Sequence, residues 1–153
     1  MITTLEKISV FQGLDSAALT QISSHCQPIE LGDGEILVSE HDTTNYDLFA
    51  LISGKVEILS RGLSHTSSEI ALSNQEKDLI GEIAWLTRGQ RTATVRCLGD
   101  VEAIRINGDA LTQYLETNAR AAFIIMRNLA KLLATRLSNT DNLLKQLLWN
   151  MHL

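Results

Sequence analysis

Apolar residues recur at helical intervals at both ends of the chain, and in brief strand-like runs between them. Across residues 4–26, Leu5, Ile8, Phe11 and Leu14, then Leu19 and Ile22, predict two short helices separated near Gly13. Asp15 or Ser16 is placed to cap the second. From Ile29 the pattern becomes IELGDGEILVSE, DLFALISGKVEILS and ATVRCLGDVEAIRI, runs of Val, Ile and Leu broken by Gly, Asp, Asn or Ser, which is strand-and-turn patterning. The more polar stretch 60–78 predicts an exposed hairpin and a strand over 69–72. After Asn107 helical spacing returns, first in GDALTQYLET and then from Asn118 to the end. The expected fold is α+β and mainly β: one domain over 1–153, with N-terminal helices (1–28), an antiparallel jelly-roll β-barrel or double-stranded β-helix (29–107), and C-terminal helices (108–153).

Within the last helix Leu133, Leu137, Thr140, Leu144, Leu147 and Met151 follow at intervals of 4, 3, 4, 3 and 4, a heptad seam with one polar member. Such a stripe is either core against the chain's own barrel or a two-stranded seam between two copies. Because it continues to the last residues, past what a small barrel covers, we read it as a homodimer seam.

Composition narrows the function. A chain of 153 residues, 44% hydrophobic and 20% charged, with mean hydropathy +0.04, has the makeup of a globular domain. Its apolar runs fall short of the ~20 residues a membrane span needs, and MITTLEKISVF does not resemble an export signal. A cytoplasmic protein is expected. The net charge of -5 argues against binding to a phosphate backbone, so no direct DNA contact is expected. A helix-turn-helix after the heptads would also need about 25 more residues. Cys26 and Cys97 form no CxxC, and His25, His41, His65 and His152 lack ligand spacing. Neither a metal nor a cofactor is expected, and neither a GxxxxGK[ST] loop nor a GxSxG elbow is present.

The stretch GEIAWLTRGQRTATV, residues 81–95, carries the chemistry. Gly81 permits close backbone approach, and residues 82–87 fit a short helical turn whose first N–H groups can hold an anion. Arg91 is near enough to fold over the same anion with its planar fork. Glu82 would repel a phosphate but accepts hydrogen bonds from sugar hydroxyls, so the pair suits a ribose fused to a phosphate. The competing interpretation is a plain Glu82–Arg91 salt bridge with Trp85 and Leu86 as core.

The surrounding residues favour the first interpretation. Gly81-Glu82-Ile83-Ala84-Trp85-Leu86 followed by Arg91-Thr92-Ala93-Thr94-Val95 resembles the phosphate-binding cassette of the cyclic nucleotide-binding domain family. It is most similar to the cassettes of cyclic-nucleotide-gated and hyperpolarisation-activated channels, where Arg-Thr-Ala also closes the motif. Phe11-Gln12-Gly13-Leu14 resembles the family's helical entry, and Leu48-Phe49 with Ile52-Ser53-Gly54-Lys55-Val56-Glu57-Ile58 its strand, Gly turn and strand. His41 and Lys77 depart from positions where the family often has turn glycines.

The resemblance implies a ligand, cyclic AMP ahead of cyclic GMP, and a role for each residue. Arg91 with the Ile83 and Ala84 N–H groups would bind the cyclic phosphate, Glu82 the ribose 2′-hydroxyl, Gly81 would allow the approach, and Thr92 would bond phosphate or base. Arg136, Asn139 and Thr140 on the last helix are the candidates to cover the base, although Thr140 could instead only set the seam's register. The implied function is a stand-alone sensor, not an enzyme, acting by movement of the terminal helix on an unidentified protein partner or through its own dimer. Its rival is an interaction module on the same barrel that binds no nucleotide. An enzyme opening a cyclic phosphodiester would need a metal cluster or a base at the phosphorus, and no His or Asp lies in the cassette.

Overall fold

The computed structural model describes residues 1–61, 69–74 and 79–152. The chain opens with α1 (Ile2–Leu5) and a single 3-10 turn (Ser9–Phe11), then α2 (Ser16–Ser23). The first predicted helix is therefore split, because the chain leaves helical geometry at Ile8, which is extended. Asp15 is the cap of α2, accepting from the Ala18 N–H at 2.8 Å.

Among the described residues six strands follow: β1 (Cys26–Leu31), β2 (Ile36–Val38), β3 (Leu48–Arg61), β4 (Glu69–Asn74), β5 (Leu79–Ile80) and β6 (Thr94–Ile106). All pairings are antiparallel, in the order β1-β6-β3-β4, with β2 also on β6 and β5 also on β3. Among the described residues the sheet is an open path rather than a hydrogen-bonded cylinder. The strand expected over 69–72 is β4; the hairpin expected before it and the departure at Lys77 lie outside the described residues.

Two strands are longer than their sequence punctuation implies. Gly54 does not turn the chain but bends one continuous β3, whose register against β6 shifts between Leu51 and Lys55. A side chain at Gly54 would run into the Asp100 carbonyl and the Val101 backbone, so only glycine lets the two long strands cross this closely.

Alternation along β3 and β6 feeds two cores. Leu48, Ala50, Ile104 and Ile106 face the helices, packing with Phe11, Ile22, Leu111, Ile125 and Leu129. Phe49, Leu51, Val56, Val95, Cys97, Val101 and Ala103 form the second core between strands. A short helix α3 (Glu82–Thr87) follows β5, and α4 (Gly108–Glu116) and α5 (Ala119–Met151) close the chain. Only the start of α5 is buried, through Ala121, Ile125 and Leu129. Leu132 and Leu133 still pack half-buried on that core, Arg136 reaches back to Glu82, and further on the helix leaves the barrel, with Leu137 63% and Trp149 71% exposed.

Candidate functional site

Gly81 joins β5 to α3 with φ at 92°, the left-handed region open to glycine at little cost. The turn aims the α3 N-terminus, where N–H groups lack intrahelical acceptors, and brings the chain against Arg91. Trp85 anchors the helix from below: it is buried, and its Nε1–H donates to the Gly108 carbonyl at 3.0 Å and Thr112 Oγ1 at 2.9 Å.

Arg91 is only 4% exposed, and its fork is held by three oxygens. Nη1 donates to the Gly81 carbonyl at 3.2 Å, while Nη2 donates to Asn45 Oδ1 at 3.0 Å and the Asp47 carbonyl at 2.8 Å. Burial pushes its pKa below the ordinary arginine value, opposed by the charges of Asp47 and Asp42. The ordinary value lies so high that the group stays a cation at neutral pH. Backbone bonds from His41 N to the Arg91 carbonyl (2.9 Å) and from Arg91 N to the Asp42 carbonyl (3.2 Å) tie down the same segment. His41 itself has φ at 67°, so a left-handed turn sits there without the family's customary glycine.

The loop between β2 and β3 thus supplies residues that motif reading missed. Asn45 and Asp47 lie 46 and 44 residues from Arg91 in sequence. Asp47, also buried, pairs through Oδ2 with Arg105 at 2.6 Å and accepts the Gly108 N–H through Oδ1 at 3.1 Å. One residue therefore couples the Arg91 mount to the start of α4. A charged residue in an otherwise strand-like run was its only sequence signal.

Glu82 and Arg91 are not an ion pair. Glu82, 6% exposed, is met by Arg136 of α5, with Nη1 at 2.5 Å from Oε1. Arg136 Nη2 also donates to the Leu79 carbonyl at 2.7 Å. The residue expected near a base thus bridges the terminal helix to the cassette carboxylate. Thr140 donates to the Arg136 carbonyl one turn back, and Asn139 and Thr92 are exposed.

One cavity of about 660 Å³ gathers these groups. From the cassette it is lined by Gly81, Glu82, Ile83, Ala84, Arg91 and Thr92, and from α5 by Arg136, Asn139 and Thr140. Apolar walls come from Val38, Val95 and Leu132. Arg91 and Glu82 thus line the same cavity, with Arg136 of α5 paired to the Glu82 carboxylate.

The model of the family described as "Cyclic nucleotide-binding domain" matches residues 28–118, and the chain belongs to this family. It is 26% identical over 145 residues to the CRP-like cAMP-activated global transcriptional regulator of Mycobacterium tuberculosis, covering 95% of this chain and 62% of that protein. It is 27% identical over 105 residues to the cAMP-dependent protein kinase regulatory subunit of Dictyostelium discoideum, covering 67% and 32%. Its fold matches the catabolite activator protein of Thermus thermophilus with a TM-score of 0.73 and 26% identity, covering 91% of this chain and 62% of that one. The chain thus spans about three fifths of the mycobacterial regulator. All three are named as regulators rather than catalysts. Among the described residues no helix is long and apolar enough to cross a membrane.

Proposed function

We propose that this protein is a cyclic nucleotide sensor whose ligand sits between the cassette and α5. The carrying observation is the shared cavity, in which a buried cation, a buried carboxylate and three polar residues of α5 line one volume. Arg91 and the first N–H groups of α3 hold the cyclic phosphate. Glu82 has two oxygens with about four lone-pair sites, so it accepts a ribose hydroxyl while keeping Arg136. Asn139, Thr140 and Thr92 offer polar atoms to the base. Cyclic AMP is favoured over cyclic GMP, a preference supported by the names of the mycobacterial and slime-mould relatives. Two unpaired cysteines fit a reducing, cytoplasmic setting.

Signal output follows from Arg136. The same residue that touches the cassette carboxylate belongs to the helix that leaves the barrel, so ligand at Glu82 biases how α5 sits. The helix passes that bias to a protein partner or to a second copy. A ligand shifts such an equilibrium only by its difference in affinity for the two positions.

The test is calorimetric titration with cyclic AMP and, separately, cyclic GMP. Arg91→Ala leaves a buried phosphate charge unpaired and costs about 3–5 kcal/mol, roughly two to three and a half decades in affinity. Glu82→Ala costs about 1.5–3 kcal/mol. Absence of binding to the parent protein, or parental affinity in both variants, overturns this reading.

A further inference from the structure

Arg91 is the buried cation of the cavity, and three carboxylates stand around it. Asp47, Asp42 and Glu82 lie near enough for their charges to act on its guanidinium. None of the three hydrogen-bonds to it. The Asp47 carboxylate is held by Arg105 at 2.6 Å and by the Gly108 N–H at 3.1 Å. Glu82 is held by Arg136. Asp42 accepts from the Thr44 N–H at 2.9 Å and from the Thr44 hydroxyl at 3.0 Å. Each of these negative charges is thus turned to another partner.

The fork itself rests on three oxygens, and two of them, the Gly81 and Asp47 carbonyls, are backbone that any residue would supply. The third belongs to the side chain of Asn45. Its Oδ1 accepts from Arg91 Nη2 and from the Asp47 N–H, both at 3.0 Å. The second bond makes an Asx-turn, which locks the side chain against its own loop. Both neighbours are donors, so the amide oxygen and not the amide nitrogen must face the fork. Asn45 therefore presents an acceptor where an aspartate would present one, but without the charge. Of the five N–H donors of the fork, three are committed to these oxygens, which leaves two for a ligand. A carboxylate at position 45 would hold Nη2 as an ion pair and cancel the positive charge that an incoming anion needs.

We propose that Asn45 is the positioning residue that keeps Arg91 an anion receptor: a neutral acceptor that aims the fork and leaves its charge to the ligand. An acidic side chain there would be a built-in competitor for the phosphate. This rests on the sensor reading and deepens it, naming a residue outside the cassette that sets how strongly the site takes an anion.

The test compares Asn45→Asp and Asn45→Ala by urea unfolding and by calorimetric titration with cyclic AMP. Asn45→Asp is expected to unfold at a midpoint equal to or above the parent's, because its carboxylate pairs with the guanidinium, and yet to bind cyclic AMP about tenfold more weakly. Asn45→Ala is expected to lose stability and affinity together. The opposed signs in Asn45→Asp are the signature, since a residue that merely braced the loop would move both readouts the same way. Parental affinity in Asn45→Asp, or a joint loss of stability and affinity in that variant, overturns the proposal. The unfolding is repeated in an Arg91→Ala background, where Asn45→Asp should become destabilising because its charge then faces Asp42, Asp47 and Glu82 alone. That arm needs no nucleotide. A parent that binds none overturns the function proposed above, whereas an equal effect of Asn45→Asp on stability in both backgrounds overturns this proposal.

Discussion

Alanine at Gly81 is the sharpest perturbation the structure offers. A methyl group built there lies 2.6 Å from Arg91 Nη1 and 2.9 Å from the Asp47 carbonyl oxygen. Two costs follow. A non-glycine residue in the left-handed region costs about 1–2 kcal/mol. The contact also drives the Arg91 fork off its oxygens, and losing even one hydrogen bond to a charged group costs about 1.5–3 kcal/mol. Together these predict about 2.5–5 kcal/mol of lost stability. Gly99→Ala isolates the first cost, because Gly99 also has a positive φ (77°) but its added methyl meets nothing within 4 Å. Urea unfolding of parent and both variants reads the difference as shifts in midpoint at constant slope. Gly81→Ala is expected to fall below Gly99→Ala by at least about 1.5 kcal/mol. Equal destabilisation of the two would refute the argument, since it would mean that the Arg91 fork does not fill the space beside Gly81.

Three further outcomes are expected. Trp85→Phe removes the indole N–H that serves the Gly108 carbonyl and Thr112, and thermal or urea unfolding should show a loss of about 1–2 kcal/mol. Asp47→Ala strips the pair with Arg105 and the bond from Gly108 N; with Arg105 partly exposed the loss should be about 2–3 kcal/mol, and nucleotide titration should weaken too because the Arg91 mount loosens. Burial pushes the Cys26 thiol up to about 11. The folded state thus holds a proton that the unfolded state releases near pH 9, so stability present below that pH falls as pH rises towards 11, and a Cys26→Ala variant should lose this slope in pH-dependent unfolding.

What could be read from the sequence was whatever local chemistry enforces. The cassette was legible because Gly81, Glu82 and Arg91 lie within eleven residues and each residue type has a narrow reason to be there. The long α5 and the cap at Asp15 were legible for the same reason. Gly54 misled, since a glycine that bends a strand and one that turns it look alike without the crossing partner at Asp100. Asn45 and Asp47 were invisible because nothing local needs them; they matter only once folding brings Arg91 alongside. Arg136 was singled out for the right helix, but its partner Glu82 lies 54 residues away and is fixed by tertiary packing alone.

The anchoring of α5 has a mechanical consequence. Its last fully buried residue is Leu129, and the 22 residues from there to Met151 touch the body of the protein through half-buried Leu132 and Leu133 and through Arg136. Those 22 residues make an arm of about 33 Å. A tilt of about 10° at the anchor would sweep the tip through roughly 6 Å, more than one helical turn's rise. Arg136 grips the arm seven residues from its pivot, about 10 Å along. A displacement of the arm at Arg136 is therefore multiplied about threefold at Trp149 and Met151, the end through which the proposed sensor would act.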